Sequence, residues 1–408
     1  MDEKQKNTKE CPRNSILDFN FSWVLLIVYL AFLFGIWFAQ NQTAQFVPGD
    51  YVGAPYFFIS IFCGLVFSFL LYNGGKILFA KLSGYRILSL HLLGFMFDAP
   101  KDKFKFHYDI LSFFELQLRF VPKDDDLEKN PRKIFLGGFI LEGILIIAVL
   151  LSFFLLKPTE GRTIGSGIAW TLLFGACYGF LTPLYEILPF RQDYPTDMFN
   201  LLVTKSKDDQ IAYNLLQVNR RRELSGEDFL HREFESYESF YGARALYFLY
   251  LDHLYASRLE KAFNTLESMK YYNKYFDDSD RYQYEEESIY LRFFIDDDSA
   301  ADQIYLSLKK DDKKEVTSPR DVADYRSAVL IAGYIAVDAE KVKNIASEFD
   351  QKMSKFQEDS RRLQKEKDLF KAAYNKVVKN KPEFNLTNRW FTPTLRVGFL
   401  LRFPFDSI

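Results

Sequence analysis

The chain has 408 residues, an aromatic share of 18% and a formal net charge of -2. So balanced a charge excludes bulk electrostatic attraction to nucleic acid, and Cys11, Cys63 and Cys177 give no disulfide framework. The average hides an asymmetry: the first half is apolar and the second is dense in Lys, Arg, Asp and Glu, which implies one environment of lipid and one of water.

Residues 1–18 read as a polar tail carrying Lys4, Lys6, Lys9 and Arg13. Four stretches then reach the roughly 20 apolar residues that a membrane-crossing helix needs. The first covers residues 19–39 (FNFSWVLLIVYLAFLFGIWFA). Its apolar run is longer than a signal peptide's, and no convincing small-residue cleavage site follows. The second, residues 54–80, is free of charge until Lys76. The third, residues 134–156, has Glu142 as its one acidic residue, and the fourth, residues 164–190, is punctuated by Pro183 and Pro189. The loop at 40–53 has neither Lys nor Arg, whereas Lys101, Lys103, Lys105, Arg119, Lys123 and Lys129 lie between the second and third stretches. An excess of basic residues marks the cytosolic side, so the expected protein is a multi-pass chain of the cell membrane with both termini in the cytosol.

Residues 86–122 interrupt the helical pattern. The segments 86–97 (RILSLHLLGFMF), 103–108 (KFKFHY) and 114–121 (FELQLRFV) mix β-formers with partial alternation, and Asp98-Ala-Pro100 and Pro122-Lys-Asp-Asp-Asp126 punctuate them. A small sheet at the cytosolic membrane face is expected, because unpaired backbone is not tolerated in lipid.

A soluble helical domain follows at residues 206–380. Helical periodicity is clear over 242–255, 257–272, 281–294, 300–310, 321–337 and 339–376. The stretch ARALYFLYLDHLYASRLEKAFNTLESM (residues 243–269) resembles one tetratricopeptide helix pair, but no clean period of about 34 residues follows. A helical-repeat-like domain and an ordinary helical bundle both fit. The mixed charge run EDSRRLQKEKDLFK (residues 358–371) reads as a solvated face. The cationic, apolar tail at 381–408 suits either a membrane-surface segment or packing on the helical domain. The expected fold class is therefore mostly α: a four-span membrane core over residues 19–205, a small β-sheet, and a cytosolic helical, tetratricopeptide-like domain.

The stretch LYNGGKILFAKLSGYRILSL (residues 71–90) resembles the first motif of the site-2-protease family of intramembrane zinc metallopeptidases. In that family His-Glu-x-Gly-His is followed by x-x-x-Ala-Lys-x-x-Gly-Tyr. Gly75, Ala80, Lys81, Gly84 and Tyr85 match, but Tyr72 and Lys76 stand at the two His positions and Asn73 at the Glu position. Pro131–Gly138 (PRKIFLGG) is similar to the family segment that ends in a Gly-Gly pair. Residues 184–202 (LYEILPFRQDYPTDMFNLL) resemble the second motif, an Asn-x-x-Pro turn leading to Asp-Gly. There Glu186 replaces the Asn, Pro189 and Asp197 match in kind, and Met198 replaces the Gly, with Asp197 further from Pro189 than the pattern has it. The resemblance covers residues 54–205 and is closest to a Gram-positive branch with a helical cytosolic extension.

The resemblance implies a catalytic zinc held by two His at i and i+4 and an Asp, with the Glu as general base. Tyr72 is a poor zinc ligand at neutral pH, Asn73 cannot accept a proton, and Lys76 brings a cation to the cation's place. The expected protein is a pseudoprotease with no catalytic residues, no metal and no cofactor. His91, His107, His231 and His253 do not pair at metal-ligand spacing. The expected binding positions are Lys76, Glu142, Glu186 and Asp197. Two readings are open for Lys76: pairing with Asp197 or Glu186, or extension of the side chain to the interface. Glu142 either meets the polar backbone of a bound peptide or makes a structural hydrogen bond between helices.

The expected partners are membrane lipid, a membrane or secreted peptide held for regulation, escort or self-protection, and a cytosolic or membrane protein on the helical domain. Nucleic acid is not expected. The alternatives are a membrane metalloprotease with an unorthodox or partner-completed site, and a structural subunit of a transport or secretion assembly.

Overall fold

The computed structural model describes residues 19–44, 54–92, 95–99, 105–108, 117–156, 163–188, 195–225, 227–276, 278–295, 297–319, 322–354, 361–381 and 384. The expected tail at 1–18, all of the expected tail at 381–408 except residues 381 and 384, and Cys11 and Pro189 lie outside the described residues. The fold is mostly helical with one small sheet. The chain divides into two units, one made mainly of Met1–Phe97 and His107–Asn214, the other of Leu215–Asp406 with Asp98–Phe106.

In the first unit the apolar runs become helices. They are α1 (Phe19–Thr43), α2 (Ala54–Val66), π1 (a π-helical stretch, Phe67–Asn73), α3 (Gly74–Leu82), α4 (Arg132–Leu156), α5 (Ile164–Gly179), α6 (Leu181–Ile187) and α7 (Asp197–Val203). Two helices, Arg132–Leu156 and Ile164–Ile187, are long and apolar enough to cross a membrane among the described residues. On α4, Phe154 and Leu155 remain 74% and 81% exposed, so its outward face suits lipid better than water. Pro183 falls in the first turn of α6, where a missing backbone N–H costs nothing. A buried polar knot ties α1, α2 and α5 together. Gln40 Nε2 donates to Ser60 Oγ (3.0 Å) and to the Tyr56 carbonyl (3.1 Å), and Tyr178 Oη donates to Gln40 Oε1 (3.0 Å).

Gly84 ends α3 with φ 78°, a left-handed conformation that glycine adopts without strain. It turns the chain into a sheet of β1 (Tyr85–Leu92), β2 (Phe95–Asp98), β3 (Lys105–Tyr108) and β4 (Gln117–Pro122), in the order β3-β2-β1-β4. β1 and β4 are antiparallel from Tyr85 opposite Pro122 to His91 opposite Gln117, with an irregularity between Ile87 and Ser89. The β-forming stretch over 86–97 holds two strands. β1 lies between β2 and β4, which satisfies the backbone of a strand that buries Leu88, Ser89 and His91. The expected domain boundary before residue 206 moves into α8 (Lys207–Ser225). Tyr213 and Asn214 belong to the first unit: the Tyr213 ring meets Phe135 edge-on, and Asn214 accepts from Tyr85 Oη (2.9 Å) and donates to the carbonyls of Leu127 (2.9 Å) and Lys129 (2.7 Å).

The second unit is a stack of helices: α9 (Phe240–Tyr255), α10 (Leu259–Met269), α11 (Asp278–Phe294), α12 (Asp298–Ser307), α13 (Lys310–Val316), α14 (Asp324–Leu330), π2 (Ile331–Ile335), α15 (Ala339–Met353) and α16 (Arg361–Asn380). The helix expected over 339–376 is therefore two, and the one expected over 300–310 ends at Ser307 before α13 begins. The core includes Leu246, Leu254, Leu266, Ile289, Phe293 and Ala328, with Phe349 and Phe370 stacked at 3.9 Å between centroids.

A charged network sits inside this core. Arg326 of α14 pairs with Glu287 of α11 and Glu366 of α16, and all three are buried. Tyr250 Oη donates to Glu287 (2.6 Å) and Tyr255 Oη to Glu366 (2.5 Å). Burial, and then the neighbouring carboxylates, push the Tyr250 and Tyr255 hydroxyls well above the usual phenol range, so both stay protonated donors. The charge run at 358–371 is thus not wholly solvated. Glu366 and Arg362 face inward, Arg362 donating to Glu223 (2.7 Å), because α16 closes over a core that already holds a buried arginine.

Candidate functional site

Four elements of the first unit bring together residues that are far apart in sequence. Tyr72 is the penultimate residue of π1, and Lys76 lies one turn on, in α3. Both side chains reach Asp197, the first residue of α7. Tyr72 Oη donates to Asp197 Oδ2 (2.7 Å), and the Lys76 ammonium donates to Oδ1 (2.9 Å) and lies 2.9 Å from Oδ2. From α6, Glu186 Oε2 accepts the Asp197 backbone N–H (2.8 Å), while Thr196 caps α7 by accepting from the Phe199 N–H. Lys76 thus turns inward rather than out to an interface: its side chain is 13% exposed and that of Asp197 4%. Glu186 holds the backbone of Asp197 rather than the ammonium.

The approach of these groups depends on three glycines. An added Cβ on Gly75 would lie 2.3 Å from the Gly137 carbonyl oxygen, and one on Gly137 2.7 Å from the Gly75 carbonyl. α3 and α4 therefore cross backbone on backbone. A Cβ on Gly138 would strike the Tyr72 ring at 2.7 Å, so Gly138 is the space in which that ring lies, with Phe139 edge-on at 5.5 Å. We expect Gly75→Ala to destabilise the protein by about 1–3 kcal/mol, since backbone must move. Gly74→Ala, with nothing within 4 Å, should be neutral or slightly stabilising. Thermal unfolding of the two variants in detergent checks the contrast.

Glu142 lies one helical turn beyond Gly138. Its side chain is buried, and neither carboxylate oxygen has a hydrogen-bond partner among the described residues. Asn73 is also buried, and its Nδ2 has no partner there either. Neither Glu142 nor Asn73 joins the Asp197 hydrogen bonds.

This donor set does not fit zinc. A catalytic zinc needs three protein ligands and an open position. Here the Asp197 carboxylate already accepts from a phenol and an ammonium, and the ammonium would repel a cation. Among the described residues no group of three His, Cys, Asp or Glu side chains is placed to hold a metal ion. His91 is buried in β1, and His231 and His253 both approach Asp252, which also accepts from Arg258 (2.6 Å). The side chain of His107 lies outside the described residues.

Sequence reasoning missed Asn214 and Arg326. Asn214 carries no local signal. Arg326 had one, a charged residue inside an apolar helical run (YRSAVLIAGY), as Arg244 has in ARALYFLYL. Arg244 pairs in the core with Asp280 (2.6 Å).

No family model matches the sequence, and neither a curated protein nor a solved structure matches it.

Proposed function

We propose that this chain is a catalytically inactive, site-2-protease-like membrane protein that binds a membrane or secreted peptide without cutting it. In this reading it is a four-span protein with cytosolic termini. Its tetratricopeptide-like helical unit would serve a protein partner in regulation, escort or self-protection. The observation that supports it best is the convergence of Tyr72, Lys76 and Asp197. These are the three positions that, by resemblance, would carry two His ligands and the Asp ligand, and they meet in one buried cluster across more than a hundred residues of sequence. An ammonium bonded to the carboxylate supplies the positive charge that a metal would bring, so the cluster keeps its electrostatic balance without catalytic chemistry. Peptide recognition by backbone pairing to a strand needs no metal, which is why binding can outlast catalysis.

The test is the metal content of the detergent-purified full chain beside the Tyr72→His/Asn73→Glu/Lys76→His variant. We expect no bound zinc in the natural chain and about one equivalent in the variant. Stoichiometric zinc in the natural chain would return the protein to the proteases. A folded variant that gains no zinc would remove the resemblance as a guide to this site.

A further inference from the structure

Among the described residues, the cluster and its surroundings hold three carboxyl groups, Asp197, Glu186 and Glu142, against one ammonium, Lys76. Two of the three are engaged: Asp197 by Tyr72 and Lys76, Glu186 by the Asp197 N–H. Glu142 is the remainder, buried in the middle of α4 with neither oxygen hydrogen-bonded among the described residues. It sits one turn from the glycine on which the Tyr72 ring lies, and within electrostatic reach of that residue. A buried carboxylate without a partner is costly, and in a membrane interior such groups are kept where something pairs with them. An amide would suffice to hydrogen-bond peptide backbone. A carboxylate adds a net charge that only a cationic group uses fully.

We propose that the segment bound at this core carries a lysine or arginine within an otherwise apolar stretch, and that Glu142 is its counter-charge. The inference rests on the reading of the chain as a peptide-binding protein and names the class of peptide it takes. In the bound state the segment's cation meets Glu142 while Lys76 stays on Asp197. Glu142 thereby sets specificity, since an apolar segment leaves the carboxylate unpaired and a cationic one does not.

The probes are two photo-crosslinkable, leucine-rich transmembrane peptides, identical except for a single central lysine or methionine. Both are offered to the full-length protein in phosphatidylcholine vesicles. We expect the natural chain to crosslink the lysine peptide at least about tenfold more than the methionine peptide, the effect of one buried charge pair. Glu142→Gln should bring the ratio close to one, and Glu142→Lys should instead favour a peptide with a central glutamate. Equal crosslinking of both peptides by the natural chain would overturn the cationic class while leaving peptide binding intact. A lysine preference that survives in Glu142→Gln would remove Glu142 as its source. Crosslinking of neither peptide by the natural chain would overturn the inference together with the binding reading. The comparison within the natural chain does not depend on how well either variant folds.

Discussion

Replacing Arg326 by Ala is expected to cost the helical unit about 3–5 kcal/mol, because it leaves two carboxylates buried without their common partner. Arg326 reaches Glu287 on one side and Glu366 on the other, so three helices, α11, α14 and α16, lose the same tie at once. Burial already holds the Glu287 carboxyl above the usual carboxylate range, with Arg326 pulling against it. Without the guanidinium only neutral hydroxyl donors such as Tyr250 oppose that burial, and no charge does. Hydrogen exchange in the full chain reads the effect locally: amides of α11, α14 and α16 should exchange about a hundredfold faster or more. The triple change Arg326→Met/Glu287→Gln/Glu366→Gln should restore much of the protection, since apolar or neutral replacement of a whole buried ion cluster is often close to neutral. If Arg326→Ala leaves exchange unchanged, the network is not what holds these helices together.

Breaking the Lys76–Asp197 pair is the second large effect. Lys76→Ala leaves Asp197 beside the Tyr72 hydroxyl and the Glu186 carboxyl with no cation, and Asp197→Ala leaves a buried ammonium with no carboxylate bonded to it. Each single change should destabilise the protein by about 3–5 kcal/mol. The double variant should fall short of the sum by about 0.5–3 kcal/mol, the range for charged groups in direct contact. Thermal unfolding of the four proteins in one detergent gives the coupling. Additive losses would mean that the two groups ionise and are solvated independently, and the electrostatic substitution for a metal would then have no basis. The Tyr72→Phe variant isolates the phenol: it removes one neutral donor to a charged carboxylate and should cost about 1.5–3 kcal/mol.

The helical pattern of this protein is written locally. The run at 134–156 became α4, beginning two residues earlier, and the periodicity over 242–255 and 281–294 became α9 and α11 with small shifts at their starts. The turn at Gly84 and the tight glycines at 75, 137 and 138 were also visible as residues in the sequence. Each of these depends on hydrophobic periodicity or backbone freedom, which neighbours in sequence decide. The charge run of α16 misled for the same reason. A mixed-charge pattern says that a helix is polar, but not which of its charges another helix will bury.

Partnership is what the tertiary structure decided. That Lys76 turns to Asp197 instead of to an interface, that Glu186 accepts a backbone N–H, and that Glu142 is left over all depend on where α3, α4, α6 and α7 meet. The same holds for Arg326 between two glutamates and for Asn214 locking Tyr85 to the 127–129 turn. The sequence by itself determined the apolar helical half and the polar helical half. Pairing across more than a hundred residues was decided only by packing, because the energy of a buried charge is set by the partner that folding brings to it.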